Sequence, residues 1–228
     1  NSEIGIFFRN NFGFKTKHRS IKNNYSKTIS DAFCWRTDKS YKTLFRFNDI
    51  LLNFFDIEDS FVVIKFYTKN AKFLKEIKIE KLFNYNEIII DKDFFDGLED
   101  YGTFYIFHHT KNLSQNSLVS NRCYVGYSVQ NGLASFMHGN TPAKLKKIDN
   151  EHSSESYVVK SSIFRTNKYK IQKNFNEIEY NELFFSNPMN EELKFNLFDK
   201  NYNLLPGESL IVGFKDIKQI SFVSNCMF

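Results

Sequence analysis

Short segments in which apolar and polar residues alternate recur along most of the chain. A period of two is typical of β-strands, because successive side chains point to opposite faces, and these segments are rich in aromatic and β-branched residues. The alternation predicts strands over residues 61–68, 73–79, 87–91, 102–109, 157–164, 169–173, 192–198, 210–214 and 219–223. We therefore expect an all-β protein, an antiparallel β-sandwich of the immunoglobulin-like or jelly-roll-like kind.

Helical patterns are few and short. Residues 48–55 place several apolar side chains on one helical face, and residues 91–97 have the pattern of a single capped turn ending in glycine. A third short helix is expected over residues 142–148, where Pro142 suits the first helical position. None of these segments is long enough to form a layer.

A β-hairpin is predicted at Asn131-Gly132, which lies between two alternating arms. Pairing outward from a two-residue turn fixes which residues face each other. One face then carries the pairs Tyr127–Phe136, Val125–His138 and Cys123–Asn140. This register predicts that His138 lies on an aromatic face beside a cysteine.

Two tandem units are suggested by a polar segment and by an internal similarity. Residues 146–155 lack an apolar pattern and suit a linker. Residues 66–74 and 197–205 share three identities, and both have the pattern of strand, polar turn and strand. We predict a sandwich domain with an N-terminal arm over 1–150 and a smaller or incomplete β unit over 151–228. One sandwich spanning 1–228 is the alternative.

Composition and net charge exclude few classes of function. The chain has 228 residues, and its 18% of aromatic side chains are ample for a core. The high content of Phe, Lys, Asn and Ile is typical of AT-rich coding. The net charge of +5 is spread thinly and includes only six arginines, whereas nucleic-acid binding favours a concentrated basic face. We therefore expect no specific nucleic-acid partner.

Cys34, Cys123 and Cys226 are widely spaced and odd in number, which is not the pattern of a disulfide framework. A reducing, cytoplasmic setting is expected. No apolar run reaches the roughly 18 residues that a membrane-spanning helix needs. The chain begins without Met, so a removed leader or a fragment of a longer protein is expected.

A metal site is one hypothesis for the histidines. His108 and His109 are adjacent on a predicted strand and so face opposite ways. Either one, together with His138 and Cys123, would offer ligands that suit zinc. The alternative is a core histidine whose ring is bonded to the backbone. The spacing also differs from the His-x-His pattern of a cupin.

A ligand-binding surface is the other hypothesis. The loop after the second hairpin arm can present a histidine and an amide, and nearby aromatic side chains can stack on the apolar face of a sugar ring. The candidate residues are Trp35, Arg36, Tyr124, Tyr127, His138 and Asn140.

No motif in the chain specifies a reaction. This favours a non-catalytic binding or accessory module whose partner is a carbohydrate, another surface polymer or a protein, with no cofactor. A metal-dependent enzyme using the His138 cluster and a structural assembly subunit are the alternatives. The sequence does not determine the ligand or the oligomeric state.

Overall fold

The computed structural model describes the chain in several stretches. These are residues 33–111, 123–130, 132–138, 166–171, 181–187, 192–215 and 220–225, together with Ile4 and the backbone of short strands at 14–15, 26–27, 117–119, 143–145 and 158–160. Asn131, Asn140 and the expected linker at 146–155 lie outside the described residues.

The chain divides into two compact units. One contains residues 21–153, and the other contains residues 1–20 together with residues 154–228. The division into domains 1–150 and 151–228 stays a prediction.

The secondary structure is dominated by antiparallel strands, as the alternation predicted. The strands are β1 Phe14–Lys15, β2 Ser26–Lys27, β3 Phe33–Arg36, β4 Tyr41–Phe47, β5 Phe61–Thr68, β6 Phe73–Ile79, β7 Asn86–Ile90, β8 Tyr101–Thr110, β9 Ser117–Val119, β10 Cys123–Val129, β11 Ser135–His138, β12 Ala143–Leu145, β13 Val158–Lys160, β14 Asn167–Ile171, β15 Asn181–Ser186, β16 Leu193–Leu197, β17 Lys200–Leu204, β18 Ser209–Phe214 and β19 Ile220–Ser224.

Among the strands of four or more residues, β3, β4 and β15 were not predicted from the sequence. All four residues of β3 are buried, so its burial does not alternate. The flanking residues Asp31, Thr37 and Asp38 made this segment resemble a turn. The strand β4 does alternate, with three inward residues separated by half-buried ones. Its pattern was therefore present in the sequence.

The 21–153 unit is a two-layer sandwich. One sheet has the order β11-β10-β4-β7, and the other has the order β2-β8-β5-β6, with β3 also paired to β8. Every pairing within them is antiparallel.

Aromatic rings fill the space between these two sheets. Phe45 of β4 meets Phe104 of β8 edge to face, with ring centroids 4.7 Å apart, and meets Phe33 of β3 at 5.2 Å. All three rings are buried. Such offset aromatic pairs stabilise a core beyond the area that they bury, so they hold the two layers face to face.

Two of the three expected helical segments are confirmed. The helix α1 spans Ile50–Phe55, and its N-cap Asp49 accepts hydrogen bonds from the backbone N–H groups of Leu51 and Leu52. A 3-10 turn at Asp93–Phe95 precedes Gly97, whose φ of 90° suits glycine.

The third expected helix, over residues 142–148, is wrong. Residues 143–145 instead form β12, which pairs with β9, because pairing between strands outweighs weak helical propensity. Among the described residues, no helix is both long and apolar enough to cross a membrane.

The hairpin between β10 and β11 forms, but its predicted register is wrong by one residue. The observed pairs are Tyr124–His138, Val125–Met137, Gly126–Phe136 and Tyr127–Ser135. The turn is closed by a bond from the Gly132 N–H to the Val129 carbonyl, and Gln130 has a φ of 50°. A slip of one residue turns each side chain to the other face, so His138 and Cys123 do not share a face.

The unit containing residues 154–228 is also built from antiparallel strands. It has a four-stranded sheet in the order β14-β19-β16-β17 and the pairs β15-β18 and β1-β13. The ring of Phe185 stacks on Phe195 at 4.4 Å and meets Phe222 edge to face at 5.6 Å. These rings join β15 to the four-stranded sheet in a core of this unit's own.

Both segments of the internal similarity form hairpins. The β5-β6 turn has Ala71 at φ 62°, whereas the β16-β17 turn has Phe198 and Asp199 at φ 52° and 59°. The strand–turn–strand pattern is therefore confirmed, with different turn geometries. A duplication stays a prediction.

Candidate functional site

The outer face of the β11-β10-β4-β7 sheet carries a continuous line of polar and aromatic side chains. Residues directly opposite each other on neighbouring strands form one row across all four strands. We call it the polar row: His138, Tyr124, Arg46 and Glu87. Three inter-strand spacings make it about 14 Å long.

A second row lies beside the polar row and is apolar. We call it the apolar row: Phe136, Gly126, Leu44 and Ile89. Gly126 has a steric role here, because a β-carbon at that position would come within 2.6 Å of the Phe136 ring. The absence of a side chain therefore lets this ring lie close against the sheet.

Arg46 is held at the centre of the polar row. Its Nε donates a 2.6 Å hydrogen bond to Glu87 Oε2, and the Tyr85 hydroxyl donates to the same oxygen at 3.1 Å. The guanidinium carbon lies 4.2 Å from the Phe136 ring centroid and 5.8 Å from that of Tyr85. These cation–π contacts and the ion pair fix the arginine against the sheet.

The Arg46–Glu87 pair also sets the charges of this surface. The hydrogen bond to Glu87 raises the pKa of Arg46, and the bond from Arg46 lowers the pKa of Glu87. Burial, followed by its bond to Glu87, raises the pKa of Tyr85. At neutral pH the pair therefore presents a fixed cation beside a fixed anion.

Two of the predicted ligand-binding residues lie on this face. The Tyr124 and His138 rings meet edge to face with centroids 6.4 Å apart, and 43% of Tyr124 is exposed. The structure brings them together because their strands pair directly. Asn140, a third candidate, lies outside the described residues.

Of three other candidates, Trp35 and Arg36 are buried, and Tyr127 is partly buried against the core. Trp35 is fully buried, and its Nε1 donates to the Tyr67 carbonyl at 2.8 Å. The Tyr127 hydroxyl donates to the Cys34 carbonyl at 3.0 Å, and burial raises its pKa well above the ordinary value.

Arg36, the third of these, is also buried. It forms two 2.9 Å hydrogen bonds with Asp38 and lies 3.7 Å from the Tyr41 ring centroid. Its partners are thus supplied by the fold itself, and the side chain is not offered to a ligand.

The four predicted metal ligands do not converge. Cys123 is buried on the inner face, while His138 is on the outer face. His108 contacts Phe47 in the core, and His109 stacks on Phe61 at 5.0 Å on the other side of β8. Within the described stretches, no group of three or more His, Cys, Asp or Glu side chains is placed to hold a metal ion.

The burial of His108 has an electrostatic consequence. Its removal from water lowers its pKa to about 3, and the neighbouring His109 adds to the shift. His108 is therefore neutral at physiological pH. This is the behaviour of a core histidine.

Arg46, Glu87 and Tyr85 were not predicted as site residues, whereas Phe136 was expected on the face of the hairpin that carries His138. The alternation of Thr43, Phe45 and Phe47 would have identified β4 and placed Arg46 outward. Its pairing with Glu87, 41 positions away, has no local signal. Only the sheet order brings these strands together.

The comparisons with known proteins give no family. No protein-family model matches the chain, and no curated protein is significantly similar to it.

Proposed function

We propose that this protein is a non-catalytic binding module that holds a carbohydrate on the outer face of its β11-β10-β4-β7 sheet. The observation that carries the proposal is the exposed polar row beside the apolar row. Sugar rings have apolar faces bordered by hydroxyl groups, and they fit a surface that offers aromatic rings and hydrogen-bonding groups side by side.

The exposure of the apolar side chains supports a binding role. Tyr85, Ile89 and Tyr124 are each more than 40% exposed on this one face, and Phe136 is 36% exposed. Apolar groups clustered at a surface and bordered by polar ones mark interaction sites. An immunoglobulin-like or jelly-roll-like plan is our proposal for the sandwich, supported by two antiparallel sheets packed face to face.

Binding to a glycan array and to insoluble polysaccharides tests the proposal. We expect the wild-type protein to bind at least one glycan, and the double variant Tyr124→Ala/His138→Ala to lose that binding. Phe73→Ala is the matched control, because Phe73 is 59% exposed on the other sheet. Failure of the wild type to bind any polysaccharide would refute the proposal, as would equal losses in the double variant and the control.

Assembly through a strand edge is a second candidate. Among the described strands, β11 is the last in its sheet, and all four of its residues are exposed. Such an edge is a template for pairing with another chain. Light scattering over a range of concentrations tests it, since association is expected to grow with concentration and a strict monomer argues against assembly.

A further inference from the structure

The Arg46–Glu87 pair places a hydrogen-bond donor beside a hydrogen-bond acceptor, and a hydroxyl group can bond to both. A guanidinium can only donate hydrogen bonds, and a carboxylate can only accept them. Arg46 bonds Glu87 through Nε, and the bonds that Glu87 accepts from Arg46 and from Tyr85 both end on Oε2. Glu87 Oε1 and the terminal nitrogens of Arg46 take no part in these two bonds.

Sugar hydroxyls match this arrangement. Each hydroxyl group both donates and accepts, so one hydroxyl can accept from Arg46 while it or its neighbour donates to Glu87. The side chains of Arg46 and Glu87 are 38% and 29% exposed, which leaves both within reach of a ligand.

An acidic sugar is expected to bind poorly at the Arg46–Glu87 pair. The positive charge of Arg46 is already balanced by Glu87 at 2.6 Å, and a ligand carboxylate on Arg46 would lie close to that second carboxylate. Like charges at such distances repel. The pair therefore favours a ligand without charge.

Resting on the proposed function, we infer that the polar row selects neutral oligosaccharides with neighbouring hydroxyl groups over acidic ones, with the Arg46–Glu87 pair as the selecting element. The row crosses four strands over about 14 Å, so it suits an oligosaccharide more than a single sugar. The apolar row beside it offers the Phe136 ring to a sugar face.

Calorimetry with matched ligands tests this inference. Each neutral oligosaccharide that binds is compared with its own form oxidised at C6 to carboxylates. We expect the wild type to bind the neutral form at least tenfold more tightly. Binding of the neutral form should change little with added salt, because no net charge is neutralised.

Glu87→Gln is the decisive variant, because it removes the charge and keeps the size of the side chain. We expect it to reduce the preference for the neutral form severalfold. Glu76→Gln is the matched control: Glu76 forms a similar ion pair with Lys65 at 3.0 Å on the other sheet, and this change should leave the preference unaltered.

The possible outcomes distinguish selectivity for neutral glycans from carbohydrate binding itself. Equal or tighter binding of the oxidised form by the wild type overturns the neutral selectivity and leaves carbohydrate binding standing. A preference that survives in Glu87→Gln overturns the role of the ion pair. If neither form of any glycan binds, the proposed function itself fails.

Discussion

Acid should destabilise this protein through one buried side chain, His108. Its pKa in the folded protein is about 3, against an ordinary value of 6.5. Between these values the unfolded chain binds a proton that the folded protein does not. Stability therefore rises with pH across this window and is lost as the pH falls from 6.5 towards 3.

The size of the effect follows from the width of that window. Each pH unit changes the free energy of unfolding by about 1.4 kcal/mol when one proton is bound only in the unfolded state. A fall from pH 6.5 to pH 4 covers 2.5 units, so His108 alone should cost about 3 kcal/mol. This is a large share of the roughly 5–15 kcal/mol that stabilise a typical domain.

Urea unfolding at pH 7, 5.5 and 4 measures this loss. His108→Gln removes the titrating group from the core, and we expect it to flatten the dependence of the unfolding free energy on pH by about 3 kcal/mol over this range. His138→Gln makes the same substitution at an exposed histidine and serves as the control. It should follow the wild type.

Comparing changes with pH, and not absolute stabilities, keeps the test valid if His108→Gln is less stable at pH 7. Carboxylates such as Glu87, whose pKa is lowered by the bond from Arg46, are present in the wild type and in both variants, so the comparison cancels their contribution. If the wild type and His108→Gln lose stability in parallel, the assignment of the acid sensitivity to His108 is refuted.

Three further predictions concern stability. Gly102→Ala should lower the free energy of unfolding by more than about 2 kcal/mol or prevent folding, because a β-carbon there would lie 2.0 Å from the Tyr67 carbonyl oxygen. Thermal unfolding measures the loss, and an unchanged midpoint would contradict the prediction. Asp49→Ala removes the N-cap of α1 and should lower the free energy of unfolding by about 1–2 kcal/mol. Asp49→Asn should lower it less, because the amide oxygen can still cap the helix. Equal losses of stability for the two variants in urea titrations would contradict the capping role. Tyr127→Phe removes the part-buried hydrogen bond to the Cys34 carbonyl and should cost about 1 kcal/mol. An unfolding midpoint in denaturant that does not move would contradict this.

Local patterns along the chain are enough to predict most of the strands and the helix of this fold. The strands at 61–68 and 73–79 were predicted with the bounds that the structure has. The first is rich in aromatic and β-branched residues, and the second mostly alternates between exposed and half-buried residues; both patterns are typical of strands. The all-β class and the helix after Asp49 follow from the same local patterns. Two of the binding candidates, Tyr124 and His138, could also be named from the hairpin.

Which residues contact each other depends on how the strands are arranged in the folded protein. The register of β10 and β11 depends on the conformation of their connecting turn, and a shift of one residue moved His138 from the face of Cys123 to that of Tyr124. The contact between Arg46 and Glu87 depends on the order of strands in the sheet. The periodicity of a single strand carries no information on the turn conformation or on the strand order. The residues of the outer face could therefore be brought together only from the folded structure.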